Sequence, residues 1–264
     1  MLDWETPESA VVSELAFSIG VRGLYFDKVY GEQEPTVAIP DMPYFNATLP
    51  SKFQAYVSAY SIDAFFDSLL EITTLKGWFN STMVPEKAPV SLTTTTLNTF
   101  LPGIQSFYGA NLPVDVHFEI LALNNFTVQE TKELMGGVTT VVLEFWVETS
   151  QSTQELATSM TLIDTSFQFT ALVEAMQISI NLGNVNVDKI NVNYCSFGKL
   201  SALTLKVELN NFFRFFTPEL NRKLAKHPVT FPSNIFGIFT LSDLTLGYFN
   251  NYIYAGFTPT FIPR

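Results

Sequence analysis

One cysteine, two histidines and few charges mark this chain of 264 residues, in which Asp, Glu, Lys and Arg together make only 15%. Each shortage removes a class of chemistry. Cys195 has no partner in the chain for a disulfide and reads as a small buried or strand residue rather than a nucleophile. His117 and His227 lie far apart, without the spaced partners of an HExxH zinc site. The G-x-S-x-G elbow, the G-x-x-x-x-G-K-[ST] loop and the G-x-G-x-x-G turn are all missing. Carboxylates are scattered, and pairs such as Asp63 with Asp67 or Glu130 with Glu133 read as solvated faces. No enzyme chemistry is legible, and no cofactor or metal site is expected. Basic residues are outnumbered, 14 against 25 acidic ones, for a net charge of −11. Such a surface repels nucleic acid, anionic lipid headgroups and lipid A phosphates alike. No run of 18 apolar residues is present to span a membrane, and the first residues do not read as a signal peptide.

What the chain has in excess is aromatic carbon: 25 Phe, 10 Tyr and 3 Trp, within 47% hydrophobic residues. That surplus fills a core or lines a cavity for an apolar ligand. The length suits one large domain, so residues 1–264 are read as a single unit. Residues 1–50 form a strand and a proline-rich lead-in; residues 51–264 carry the sheet, with helices near 61–75 and 200–227.

In chain order, residues 1–10 read as a frayed start and Phe17, Ile19 and Val21 begin a strand to about Phe26. Pro35, Pro40, Pro43 and Pro50 keep the next segment extended. Phe53 to Ala59 is a strand, and Ser61 is placed to cap a helix whose first turn holds Asp63. In that helix Ile62, Phe65, Phe66, Leu69 and Leu70 form one apolar stripe that ends before Gly77. A short helix is expected around Phe100 to Phe107, and strands follow from Val114, with Gly136 and Gly137 as a turn.

Ser201 caps a second long helix carrying Leu205, Leu209, Phe212, Phe213, Phe216, Leu220 and Leu224 on one stripe. The alternation of Leu203, Leu205, Val207 and Leu209 leaves a strand open for its first turns. Pro218 predicts a kink or restart, with an end near His227 and Pro228. After it Leu244, Leu246 and Tyr248 step by two, and Asn250 and Asn251 mark a hairpin turn into Tyr252 and Tyr254.

The stretches "FFTPELNRKLAKHPVTFP" and "FTLSDLTLGYFNNYIYAGF", preceded by "VRGLYF", "AIPDMPYFNATLP" and "FQAYVSAYSIDAFFDSLLE", follow one another in an order that resembles the C-terminal domain of the bactericidal/permeability-increasing protein family. That family includes lipopolysaccharide-binding, cholesteryl-ester-transfer and phospholipid-transfer proteins. The resemblance spans nearly the whole chain and matches the second of the family's two halves. It implies an α+β fold in which a long, strongly curved antiparallel sheet wraps amphipathic helices, half of a boomerang-shaped tubular lipid-binding fold. It also implies non-catalytic binding, or transfer, of a phospholipid or similar apolar lipid. A bound phospholipid or fatty acid is then the only group expected. The implied slot is walled by Phe65, Phe66 and Leu69 from one helix and Phe212, Phe213 and Phe216 from the other. The expected partners are lipid, a membrane surface, and a homologous N-terminal half or another protein; nucleic acid is not among them. The rival readings are a docking module with a filled groove and an innate-immune lipopolysaccharide-binding factor, the latter disfavoured by the negative charge. The family also implies secretion or an endomembrane lumen. Sequons at Asn46, Asn80 and Asn125 are compatible with that but do not argue for it, since a chain this rich in Asn, Ser and Thr reaches about three by accident.

Overall fold

The computed structural model describes residues 11–12, 16–25, 29, 31–32, 34–35, 37–84, 91–132, 134–150, 153–231, 233–235 and 237–262, without the side chains of Phe17, Phe215, Phe216, Glu219 and Ile235. Strands β1 (Val11–Val12) and β2 (Phe17–Ser18) pair with each other, so the first predicted strand is much shorter than expected. The expected frayed start at residues 1–10 lies outside the described residues. Residues 37–50 hold no helix or strand, as their prolines require. The chain then enters β3 (Phe53–Ser58) and turns directly into α1 (Ala59–Ile72).

The order continues with β4 (Leu75–Phe79), α2 (Thr94–Leu97), α3 (Ile104–Tyr108), β5 (Val114–Gln129), β6 (Leu134–Ser150), β7 (Thr153–Glu174), β8 (Gln177–Asn186) and β9 (Lys189–Cys195). After α4 (Ala202–Leu224) come β10 (Val229–Thr230), β11 (Asn234–Ile235), β12 (Phe239–Phe249) and β13 (Tyr252–Phe261). Seven strands form one antiparallel sheet in the order β10-β8-β7-β6-β5-β4, with β9 also on β7; β11-β12-β13-β3 form a second. The larger sheet is a curved antiparallel half-barrel against which α1 and α4 pack, the α+β class that the sequence implied. With 22 residues, β7 would span about 70 Å if straight, and it bends instead at register shifts against β6 and β8. It pairs with β8 along its later part and with β9 along its earlier part.

Several local expectations are corrected. The cap of α1 is Ser58, whose hydroxyl accepts from the Ser61 amide at 3.1 Å, because the strand turns into the helix without a loop. Asp63 therefore lies beyond the first turn. Helix α1 does end before Gly77, which sits within β4, where an added Cβ would come within 2.7 Å of the Phe118 ring. Gly136 and Gly137 lie inside β6 rather than at a turn, since an added Cβ on Gly136 would meet the Phe167 carbonyl at 2.6 Å. Helix α4 runs through Pro218 without a restart and ends at Leu224, with the Thr217 hydroxyl bonded to the Phe213 carbonyl at 2.7 Å. Its first turns are helical: Leu205 and Leu209 are buried while Leu203 and Val207 are exposed, a pattern that no alternating strand would produce. The β12–β13 hairpin turns at Asn250 and Asn251 as expected, with Asn251 at a φ of 69° that asparagine tolerates.

Asp63 is the largest departure. Instead of a solvated face it is fully buried, and its carboxylate accepts from the amides of Phe126 at 3.0 Å and Asn125 at 3.2 Å. Those amides turn away from the ladder where β5 bulges between Asn124 and Thr127, with Asn125 at a φ of 55°. One turn on, burial first, then the charges of Asp63 and Glu71, push the Asp67 carboxyl up to about 6. An acid raised in this way adds stability that is present below its unfolded value and lost as pH rises through about 6. Asp67→Asn is therefore expected to stabilise the protein at pH 7.5 by about 1 kcal/mol after solvent screening, and to have little effect at pH 4. Urea titrations at the two pH values check it; equal shifts at both would count against the cause given.

Candidate binding cavity

Helix α4 is held over the sheet by two asparagines. Asn210 exchanges hydrogen bonds with the backbone of Val187, at 2.7 and 3.2 Å, and Asn221 does the same with Leu182, both at 2.7 Å. Eleven residues apart, they lie on one face of the helix. That placement turns Leu205, Leu209, Phe212 and Phe213 towards the sheet.

A cavity of about 260 Å³ lies between them. Its floor comes from β5 (Val116, Phe118, Ile120), β6 (Thr139, Val141, Leu143, Phe145) and β7 (Met160, Leu162, Thr165). Leu92, Leu97, Phe100 and Leu101 close one end, with Phe79 and Val185 completing the wall. Of these 20 lining residues, 18 are apolar and two are threonines. The closing end depends on the threonine-rich segment. Thr93 caps α2 by accepting from the Thr96 amide, and the Thr94 hydroxyl reaches the Gly109 carbonyl at 2.7 Å, which folds α2 back on α3. Gly103, at a φ of 101°, makes the tight junction between them.

Over residues 2–257 the chain matches the LBP / BPI / CETP family, C-terminal domain. The chain belongs to the LBP/BPI/CETP family. Among solved structures, the crystal structure of lipopolysaccharide binding protein aligns with 88% of this chain and 47% of that one, at 15% identity and a TM-score of 0.48. The chain thus spans about half the length of that neighbour. A comparison with curated proteins finds no match.

The family resemblance implied a slot walled by two helices, and the structure places its residues in two different neighbourhoods. Phe212 and Phe213 line the cavity, and Phe212 meets Phe100 edge to face at 5.7 Å. The Phe216 side chain lies outside the described residues. On α1, Phe66 stacks on Phe126 at 5.2 Å, and Phe126 meets Phe167 at 5.7 Å, so this aromatic set packs a separate core. Phe65 is 43% exposed against Tyr25, Leu69 is half-buried, and neither lines this cavity. The reason is placement: α1 packs over the bulged part of β5, while α4 lies over β8 and β9. The wall facing α4 comes from the sheet and the α2–α3 end instead.

Sequence reasoning expected a short helix around Phe100 to Phe107, where α3 (Ile104–Tyr108) lies, but assigned no lining residue to this end. It also missed Thr139 and Thr165, for which no local signal existed. The sequon residues Asn46 and Asn80 each accept from the amide and hydroxyl of their own threonine, Thr48 and Thr82, while Asn125 is exposed on the β5 bulge. Among the described residues no three His, Cys, Asp or Glu come together to hold a metal, and no helix is long and apolar enough to cross a membrane.

Proposed function

We propose that this LBP/BPI/CETP-family protein binds a lipid, without catalysis, by taking an acyl chain into the cavity between α4 and the curved sheet. The observation that carries the reading is the lining, 18 apolar residues of 20 around a space of about 260 Å³. That volume lies between the ~150 Å³ cavity that accepts benzene and the ~300 Å³ at which small-molecule pockets begin. It suits one chain, or part of one, of a phospholipid or fatty acid. Each methylene moved out of water stabilises the complex by about 0.8 kcal/mol, so a chain provides the affinity with no reactive group. The finer parts of the proposal are transfer between membrane surfaces, pairing with a homologous half, and a secreted or endomembrane-lumen location. In such a location, glycans would be sought by mass spectrometry at Asn46, Asn80 and Asn125. The net charge of −11 argues for a neutral or zwitterionic ligand over lipid A.

Organic extraction of the purified protein followed by lipid mass spectrometry tests the reading, together with uptake of a fluorescent acyl probe. Co-purified lipid and saturable probe binding are expected. Protein that yields no lipid and binds no probe would favour a docking module whose groove is filled by its own side chains.

A further inference from the structure

We propose that the C-terminal end of α4, with the residues packed against it, is a docking surface for an anionic lipid bilayer. The proposal goes beyond the lipid reading above, which concerns the cavity, and stands on a different observation. Arg214, Arg222, Lys223 and Lys226, four of the 14 basic residues, fall within residues 209–242, a stretch that holds one of the 25 acids, Glu219. The sign of the charge is reversed there.

The fold keeps that reversal in one place. Asn210 bonds to Val187 and Asn221 to Leu182, so α4 runs antiparallel to β8 and its last turns reach the end of β8 that β10 joins through Val229 and Ile178. Residues 81–84 close on the same turns, where the Lys223 ammonium donates to the Met83 carbonyl at 2.8 Å. Neither β8 nor residues 81–84 carries a charged side chain. Arg214, Arg222, Lys223 and Lys226 are all exposed, and Arg214, Lys223 and Lys226 form no ion pair among the described residues. Across the sheet, Glu174 lies on β7, in register with Gln177 and through it with Thr230 of β10. It is two strands away.

Exposed aliphatic side chains stand among these cations. Leu220 is 43% exposed, Met83 41% and Val229 58%. Leu220 precedes Lys223 by three residues and so shares its face of the helix. The helix macrodipole accounts for a cation in the last turn, but Lys226 lies beyond Leu224, and no helix-end effect exposes three apolar side chains. A bilayer uses both features. Anionic headgroups take the cations while the aliphatic side chains enter the boundary with the acyl region, whereas a free anion would leave the latter without a role. The net charge of −11 does not oppose this contact, because at physiological salt a charge is felt over only about 8 Å and the distant carboxylates are screened. Phe213 lines the cavity and Lys226 lies about 20 Å further along the chain of the same helix, so the docked surface and the cavity wall share one element. That link to the cavity rests on the lipid reading; the docking surface does not.

Co-sedimentation of the purified protein with vesicles tests the proposal, using phosphatidylcholine alone or with about a third phosphatidylserine, at about 0.15 M salt. Affinity is expected to be at least about tenfold higher for the anionic vesicles, and most of that gain should vanish at about 1 M salt. Lys226→Glu should weaken binding to them by at least about tenfold, and Lys226→Arg should keep it. Lys199→Glu makes the same change in net charge at an exposed position just before the other end of α4, and should stay within about twofold of wild type. Equal losses for Lys226→Glu and Lys199→Glu, affinity indifferent to phosphatidylserine, or no binding to either vesicle would overturn the proposal. Uptake of a fluorescent acyl probe separates the two readings. If the probe binds and the anionic vesicles do not, this inference falls and the lipid reading stands; if the vesicles bind as expected and the probe does not, the docking surface stands and the lipid reading falls.

Discussion

Phe213→Asp is expected to weaken binding of a fluorescent acyl probe at least tenfold at pH 7.5, whereas Phe66→Ala leaves it within about twofold of wild type. Phe213 lines the cavity, so the substitution sets an unpaired carboxylate against an apolar space, where its ionised form costs several kcal/mol unless it protonates or reaches water. Desolvation raises the pKa of such a carboxyl, and probe binding should recover in part as pH falls towards 5. Phe66 instead fills the separate core, stacked on Phe126 at 5.2 Å. Its truncation leaves a void that costs about 3 kcal/mol and lowers the melting temperature by roughly 6 to 12 °C. Fluorescence titration and thermal melts of both variants check the pair. Equal loss of probe binding in the two would mean that both aromatic sets wall one slot.

Asp63→Ala should be the most destabilising single change on α1, by about 3 to 5 kcal/mol. The carboxylate takes two backbone amides from the β5 bulge, and hydrogen bonds to a charged acceptor are worth about 1.5 to 3 kcal/mol each. Alanine leaves both amides without that partner at a position with no exposure. Asp63→Asn keeps one acceptor oxygen and should lose about half as much. Urea denaturation followed by circular dichroism measures both. A loss below about 1 kcal/mol for Asp63→Ala would mean that the bulge finds other partners.

Much of this protein could be read from periodicity and punctuation. The first half of the α4 stripe, from Leu205 to Phe213, its cap at Ser201, the two-asparagine turn of the last hairpin and the extended prolines before Phe53 depend on neighbours within a few residues, so local rules suffice for them, whereas Leu220 of the same expected stripe is exposed. The absence of catalytic motifs and the acidic surface are likewise properties of the sequence. Gly136 and Gly137 show where such reading fails: the sequence offers a turn, but the glycines serve the close approach of a neighbouring strand.

The tertiary structure alone decided which apolar faces meet. Phe66 and Phe213 carry the same helical signal, yet one packs a core and the other lines a cavity, because the strands beneath α1 and α4 differ. It also decided the fate of two polar groups. Asp63 is buried because a bulge 62 and 63 residues along the chain turns two amides towards it, and Thr165 faces inward because β7 holds one residue more than β6 at Asp164. Register and bulges are relations between strands, and a chain read one segment at a time contains the residues of such a relation but not their pairing.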